Sequence, residues 1–345
     1  MGDFLSDKRI LIIGGTGSIG RTLTDSIMLK NPKLVRIYSR DEYKQYHMKE
    51  ELSHNYKLSQ IQFMLGDVRD KERLCQAMRD INYVFHLASL KQVPSCEYDP
   101  YEAVKTNILG TQNVVETAIQ NKVERVVYTS SDKAANPTSA MGASKLLAER
   151  IISTANQYTR CDSTIFSSVR FGNVLSSRGS VIPLFLRQIK NNEPTTITSP
   201  DMTRFFMSKR QAVDLVISVC EKAIGGETYV LKMPVFNIED LASALKKIIG
   251  LKTPSVVIGL RSGEKMHEEL MTFEESTVAL ETKDAFIILP NSITTDKAHE
   301  LFPDSRKAKQ NEYRTDNEKK LTIEQIIKML EDEQIIKNNS RQKKH

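Results

Sequence analysis

The segment RILIIGGTGSIG, residues 9–20, opens with a short apolar run and ends in a glycine-rich turn. The run predicts a buried strand, and the residues that follow the glycines predict a helix. Glycines permit a tight turn and a close approach to a pyrophosphate, and a helix N-terminus supplies amides with partial positive charge. The segment therefore predicts the start of a dinucleotide-binding sheet, with an ordinary strand-to-helix turn as the alternative.

Five further apolar runs follow, separated by segments long enough for crossover helices. They are Leu34 to Tyr38, Ile61 to Leu65, Tyr83 to Leu87, Arg125 to Thr129 and Thr164 to Val169. This alternation predicts a parallel sheet with helices on both faces, and right-handed crossovers make it doubly wound. We therefore expect an α/β protein with a Rossmann fold and a smaller C-terminal substrate lobe.

The predicted domain boundaries depend on a change in sequence pattern. After about Phe171 the regular alternation of strand and helix patterns ends, loops lengthen and prolines become more frequent. We expect a nucleotide-binding domain over 1–172, with elements near 207–232 returning to its sheet. A substrate lobe is expected over 173–331, and a flexible tail over 332–345. The 345 residues suffice for two such domains.

Composition excludes several classes of protein. The chain is 40% hydrophobic and 27% charged, which is typical of a globular protein and not of a disordered one. No apolar run is long enough to span a membrane and no secretory signal is visible, so we expect a cytoplasmic protein without a membrane partner. The four cysteines form no CxxC and the six histidines form no HxxxH or HExxH, which predicts no metal site.

The net charge of +6 comes from lysines and arginines interspersed with acidic residues. That pattern favours an anionic small substrate over nucleic acid.

The end of the second run predicts which dinucleotide binds. Ser39 and Arg40 lie at its tip and Lys44 follows one helical turn later. Because a guanidinium pairs bidentately with a phosphate, this pattern favours NADP, although Asp41 could turn inward. The predicted cofactor-binding residues, with Asp67 and Val68 near the adenine, are Gly14, Thr16, Gly17, Ser18, Ile19, Ser39, Arg40, Lys44, Asp67, Val68, Leu87, Ala88 and Lys145.

The segment after the fifth run carries the candidate chemistry. Asp132 and Lys133 follow the strand's carboxyl end, where open parallel sheets place ligands. Met141 and Lys145 are four residues apart and share a helix face. A dehydrogenase normally has Tyr-x-x-x-Lys here, with the tyrosine taking the substrate's hydroxyl proton. This chain has methionine in the tyrosine's place.

Together these motifs resemble the extended short-chain dehydrogenase/reductase family. Within it, the chain is similar to the soluble UDP-N-acetylglucosamine 4,6-dehydratases of capsule and flagellin glycosylation. Methionine in place of the tyrosine is found in the capsule enzymes that invert carbon 5 and also in membrane-anchored retaining dehydratases, and the segment LKQVP favours the soluble inverting type. The matching segments include PDMTRFFM and GLRSGEKMHEEL, and the specific ones are SSDKAANPTSAMGASK and RFGNVLSSRGSVIPLF. The resemblance runs from residue 8 to about 270. It implies a tightly bound NADP that is regenerated in each cycle, and a homo-oligomer between a dimer and a hexamer.

The implied reaction is oxidation at carbon 4, loss of water across carbons 5 and 6, and hydride return to carbon 6. By this resemblance Asp132 protonates the leaving hydroxyl and Lys133 removes the carbon 5 proton. Ser131 binds near carbon 4, Lys145 holds the nicotinamide ribose and Met141 lines the sugar pocket. The resemblance implies that the substrate-binding residues for UDP-N-acetylglucosamine are Lys91, Gln92, Asn173, Arg178, Ser180, Arg204, Arg261 and Glu264.

A methionine cannot accept a proton. The missing base is therefore expected to be replaced by Asp132, Lys133 or Lys145. Two other functions stay open, namely a UDP-sugar 4-epimerase and a non-catalytic NADP-binding scaffold. The epimerase has no use for Asp132 and Lys133, and a scaffold has no reason to keep three matched polar groups.

Overall fold

The computed structural model describes residues 3–158, 164–177, 179–293, 298 and 300–335. They divide into two compact units. The first comprises the residues up to Phe171, together with Lys209–Lys232 and Glu269–Tyr313. The second comprises Gly172–Ser208, Met233–Glu268 and the residues from Arg314 onward.

The strands are short and alternate with helices through the first half of the chain. The strands are β1 Arg9–Ile13, β2 Leu34–Ser39, β3 Ile61–Leu65, β4 Tyr83–His86, β5 Arg125–Thr129, β6 Ile165–Arg170, β7 Asn173–Val174, β8 Thr195–Ile197, β9 Thr203–Met207, β10 Thr228–Leu231, β11 Val235–Asn237, β12 Ser255–Val257, β13 Glu269–Met271, β14 Ala279–Glu281, β15 Ala285–Ile288, β16 Arg306–Lys307 and β17 Tyr313–Arg314.

The α-helices vary from one turn to five. They are α1 Ser18–Met28, α2 Glu42–Ser53, α3 Lys71–Ala77, α4 Val93–Tyr98, α5 Pro100–Ala103, α6 Gly110–Gln120, α7 Ala140–Tyr158, α8 Val181–Lys190, α9 Lys209–Lys222, α10 Ile238–Ile249, α11 Phe273–Thr277 and α12 Ile323–Asp332. A π-helical segment, Val104–Leu109, connects α5 to α6. Two 3-10 turns, Leu58–Gln60 and Asp132–Ala134, precede β3 and follow β5 respectively.

The first unit is built on one large sheet. Its parallel part has the order β3-β2-β1-β4-β5-β6-β10. The order reverses between β1 and β4, which is the arrangement of a doubly wound Rossmann sheet and the point at which such sheets bind ligands. The predicted α/β fold is therefore confirmed.

The sheet continues beyond β10 with antiparallel strands. β15 pairs with β10, β14 pairs with β15, and β16 pairs with β14. This differs from the sequence boundaries, which assign residues 269–313 to the second lobe. These strands are only two to four residues long, so their pairing depends on the tertiary contacts of the sheet edge.

Each unit buries an apolar core of its own. In the first unit, side chains of the parallel strands pack against α3, α6 and α7, as with Val84, Val126 and Phe166. In the second unit, α8, α10 and α12 enclose a separate core. The helix α10 is bounded by Asn237, whose side chain accepts from the first-turn amides, and by Gly250 in the left-handed conformation at φ 78°.

Candidate functional site

The turn after β1 depends on glycine. Gly14 has φ 81°, and a Cβ there would lie 2.9 Å from the backbone nitrogen of Ala88. A Cβ on Gly20 would lie 2.5 Å from the carbonyl oxygen of Gly15. Since neither position has room for a side chain, the glycines bring the ends of β1 and β4 and the start of α1 into close backbone contact.

The N-terminus of α1 has neither a capping side chain nor an acidic residue in its first turn. Gly17 is its N-cap, makes no side-chain capping bond, and is followed by no acidic residue in the first turn. The first amides and the helix dipole are thus left for an anion. Thr16 is buried, whereas Ser18 and Ile19 are half-buried. These residues fit the pyrophosphate of a dinucleotide.

The end of β2 presents one exposed cation. The side chain of Arg40 is 59% exposed, and its Nη1 lies 3.7 Å from Oδ2 of Asp67. Asp41 does not turn inward, because it caps α2 by accepting from the amide of Lys44 at 3.0 Å and forms an ion pair with the Lys44 ammonium. Ser39 is buried. Of the three residues predicted to face a 2′-phosphate, Arg40 is the exposed one.

Neighbouring side chains fix the other cofactor-binding candidates. Asp67 accepts from the Arg69 guanidinium at 2.8 Å and from its amide at 3.0 Å. Although burial favours the neutral acid, these bonds hold the pKa of Asp67 below its ordinary value. Val68 is buried and packs closely against Gly110, since a Cβ added to Gly110 would lie 2.7 Å from Cγ1 of Val68. Leu87 donates its amide to the carbonyl of Ile13 at 2.9 Å.

Asp132, in the turn after β5, is almost completely buried, with 1% of its surface exposed. Its Oδ1 accepts from the Ser131 hydroxyl at 2.6 Å and from Nζ of Lys133 at 3.0 Å. Within the described residues, its buried Oδ2 has no hydrogen-bond partner. A buried carboxylate oxygen without a donor is costly, so this atom is suited to a proton or a ligand hydroxyl.

Lys145 lies under the same strand end and is also buried. Its Nζ donates to the carbonyl of Thr129 at 2.8 Å and bonds to the hydroxyl of Tyr128 at 3.1 Å. Burial lowers the pKa of Lys145 to about 7, against the opposing charge of Glu149. Its amine can therefore change protonation state near neutral pH.

Met141 and Gly142 shape the first turn of α7. Met141 is buried in a small apolar cluster with Cys96 and Ala103, so its side chain contributes packing and no proton transfer. A Cβ on Gly142 would lie 2.3 Å from the carbonyl oxygen of Lys133. The start of α7 therefore packs directly on the backbone that presents Asp132 and Lys133.

The predicted substrate-binding residues are divided between the two units. Lys91 and Gln92 are exposed in the first unit, where Gln92 is the N-cap of α4. Asn173 lies on β7 in the second unit, and Ser180 is the N-cap of α8. Arg178 lies outside the described residues.

Arg204 is buried on β9 and is engaged within its own unit. Its guanidinium donates to the carbonyls of Thr203, Lys265 and Met266 at 2.8, 2.8 and 3.1 Å. The contact of Arg204 with UDP stays a prediction. Arg261 is exposed, and its amide lies 3.3 Å from the carboxylate of Glu264.

Two supporting residues were missed by sequence analysis. The Asn107 side chain accepts from the amide of Leu90 at 2.7 Å and donates to its carbonyl at 3.1 Å and to the Ser144 hydroxyl at 2.9 Å. It thereby ties the loop after β4 to α7. Tyr128, the other residue, looks like an ordinary strand residue in the sequence, and only its partner Lys145 reveals it.

A family model described as "Polysaccharide biosynthesis protein" matches residues 10–290. The chain belongs to this family. A UDP-glucose 4-epimerase of Rickettsia bellii is 42% identical over 94% of this chain and 95% of that protein. An uncharacterized membrane protein of Methanocaldococcus jannaschii is 45% identical over 89% of this chain and 93% of that protein. In the part of this chain that the structure describes, no helix is long and apolar enough to cross a membrane.

Solved structures agree on the fold of this polysaccharide biosynthesis family member. The X-ray structure of Pen from Bacillus thuringiensis is 44% identical, with a TM-score of 0.90 over 97% of this chain and 100% of that one. DesIV, a dTDP-glucose 4,6-dehydratase of Streptomyces venezuelae with NAD bound, gives a TM-score of 0.68 over 75% of this chain and 86% of that one. At 19% identity, DesIV supports the fold alone.

Proposed function

We propose that this protein is an NADP-dependent UDP-N-acetylglucosamine 4,6-dehydratase that inverts carbon 5. The observation that carries the proposal is the buried Asp132 carboxylate, which has one oxygen held by Ser131 and Lys133 and the other without a partner among the described residues. An elimination needs an acid for the leaving hydroxyl and a base for the carbon proton. An adjacent carboxyl and amine provide both types of group.

A bound nicotinamide dinucleotide would supply the redox chemistry, accepting hydride from carbon 4 of the sugar and returning it to carbon 6. The turn at Gly14 and Gly17 and the open start of α1 suit its pyrophosphate. We propose that Arg40 selects NADP, since its guanidinium is exposed and Asp41 is occupied as a helix cap.

The chain's own residues then handle the protons. In the proposed elimination, a proton first passes from the Lys133 ammonium to Asp132 along their hydrogen bond, which leaves a neutral amine and a carboxylic acid. Lys133 then takes the proton from carbon 5, which the neighbouring ketone acidifies, while Asp132 gives its proton to the hydroxyl leaving carbon 6, and water departs. A proton must then add to the opposite face of carbon 5 as carbon 6 receives hydride. The buried Lys145, whose pKa is lowered to about 7, is a candidate for the base that the absent tyrosine would have provided at the 4-hydroxyl.

A UDP-sugar 4-epimerase is the second candidate function, because a relative named UDP-glucose 4-epimerase is 42% identical to this chain. Incubating the protein with UDP-N-acetylglucosamine and NADP⁺ separates the candidates by mass spectrometry. Loss of one water from the nucleotide sugar supports the dehydratase, and an isomer of unchanged mass supports the epimerase. Cofactor binding with no product from this sugar overturns the dehydratase proposal, and a lack of product from UDP-glucose as well favours the scaffold. A proton NMR spectrum of the product gives the configuration at carbon 5.

Variants test the assigned roles. We expect Asp132→Asn and Lys133→Met each to lower kcat by about 10²–10⁴-fold, because each removes a positioned acid or base. Asp214→Asn is the matched control, since Asp214 forms an exposed ion pair with Arg210 on α9. Unimpaired turnover in both site variants would show that the assignment is wrong.

A further inference from the structure

The buried amine of Lys145 contacts a buried tyrosine, Tyr128, to which the proposed function assigns no role. The hydroxyl of Tyr128 lies 3.1 Å from Lys145 Nζ, and the ring centroid lies 4.7 Å from the same atom. Both side chains are buried. The amine is therefore within hydrogen-bond distance of the hydroxyl and within cation–π range of the same ring.

We infer that Tyr128 is a positioning residue that holds the Lys145 amine and bonds to it in both protonation states. A phenol hydroxyl is a donor and an acceptor, whereas the carbonyl of Thr129 only accepts. The ammonium donates to both oxygens. After it loses its proton, the neutral amine accepts from the Tyr128 hydroxyl and keeps its place. The inference deepens the proposed function, because it explains how a buried lysine could exchange a proton where the tyrosine of the motif is absent.

Tyr128 itself stays neutral. Burial raises its pKa well above the ordinary value, with a further contribution from Glu149. The phenol therefore keeps its proton over the working pH range and can donate it in a hydrogen bond without losing it.

Other charged groups around Lys145 are paired or neutral. Glu149, one turn along α7, is bound by Arg170 of β6 at 2.5 Å. His86 of β4, whose ring is 5.2 Å from that of Tyr128, is neutral because burial, with Lys145 adding to it, lowers its pKa to about 3. On the remaining elements packed against α7, the acidic and basic groups with partners of their own are Asp132, Lys133, Glu97, Glu102, Lys105 and Glu116.

The test compares Tyr128→Phe with Tyr83→Phe. Tyr83 is a buried tyrosine at the start of β4, with Lys8 Nζ 5.0 Å from its ring centroid. Each variant loses one hydroxyl and keeps its ring, and thermal melts check that both fold. The protonation of Lys145 is followed directly by NMR of the lysine ε-carbon, labelled with carbon-13 and assigned from its loss in Lys145→Met.

In the unaltered protein the Lys145 signal should titrate near pH 7. Hydrogen bonds to a charged group are stronger than those to a neutral one, so losing the hydroxyl disfavours the ammonium more. The midpoint should fall by about one pH unit in Tyr128→Phe and stay in place in Tyr83→Phe. We also expect kcat with UDP-N-acetylglucosamine to fall about tenfold, with KM little changed.

An unchanged midpoint in Tyr128→Phe overturns the inference, as does an equal shift in both variants. The titration needs neither cofactor nor substrate. If the unaltered protein makes no product from UDP-N-acetylglucosamine, the proposed function fails while the midpoint still decides the role of Tyr128.

Discussion

Replacing Arg170 with methionine should destabilise the first unit strongly. Arg170 is 1% exposed, and its guanidinium donates to Glu149 at 3.0 and 2.5 Å and to Glu275 at 2.8 and 3.0 Å. A fifth bond reaches the carbonyl of Leu270 at 2.8 Å. Methionine fills similar volume but leaves two largely buried carboxylates without their common cation.

Removing one partner of a buried ion pair typically costs about 3–5 kcal/mol, and here two acids lose their partner together. We expect the free energy of unfolding to fall by at least about 3 kcal/mol, with a drop in Tm on the order of 10 °C. Urea unfolding followed by circular dichroism measures the first quantity and differential scanning calorimetry the second.

Arg150→Met is the matched control. Arg150 lies beside the same acid, 4.0 Å from Glu275, but its side chain is 62% exposed. Exposed ion pairs contribute about 0–1 kcal/mol, so this variant should unfold close to the unaltered protein. If Arg170→Met and Arg150→Met lower the free energy of unfolding equally, the conclusion that the buried ion pairs of Arg170 with Glu149 and Glu275 stabilise the fold is wrong.

The pH dependence provides an independent check. Burial by itself would raise the pKa of Glu275, but the Arg170 guanidinium holds this pKa below its ordinary value. The contribution of Glu275 to the free energy of unfolding is therefore present near neutral pH and is lost on acidification. In Arg170→Met the same carboxyl is buried without that cation, and its pKa should rise. The difference in stability between the two proteins should therefore shrink as the pH falls from 7 towards about 4.5.

Four further predictions follow, three for the candidate site and one, Gly250→Ala, for a glycine at the end of α10 outside it. Gly142→Ala should lower turnover at least about tenfold, because its Cβ would meet the Lys133 carbonyl at 2.3 Å. Gly250→Ala, at φ 78° with no atom within 4 Å, should cost about 1 kcal/mol in urea unfolding and leave turnover unchanged. Arg40→Ser should shift the NADP-over-NAD preference in calorimetric titrations by about 10–100-fold towards NAD, and an unchanged preference would contradict its role. Lys145 has a folded pKa of about 7, below its ordinary value, so its native state releases a proton that the unfolded state keeps. Stability should rise with pH between about 7 and 10, and Lys145→Met should flatten that rise in urea unfolding.

Local sequence determined much of the first unit. The runs at Arg9–Ile13, Ile61–Leu65 and Arg125–Thr129 coincide with strands β1, β3 and β5 at both ends. The match extends to both ends because an apolar run bounded by turn residues, with a helical segment after it, specifies a parallel strand without reference to distant residues. The glycine spacing after β1 was equally informative, since backbone approach at Gly14 depends on the absence of a side chain.

Other features depended on residues that meet only in the folded chain. Sequence analysis placed Asp132 and Lys133 at a sheet edge, but only the structure shows which Asp132 oxygen is occupied and which is not. Tyr128 and Lys145 are 17 residues apart, and Arg170 and Glu275 are 105 apart. Such partners follow from the packing of a helix and strands on one sheet, and no local periodicity encodes them. The sequence by itself therefore determined the strands and helices of the parallel sheet and the types of reactive group at its edge. Burial and long-range pairing in the folded chain decided the protonation of these groups and which of their atoms have hydrogen-bond partners.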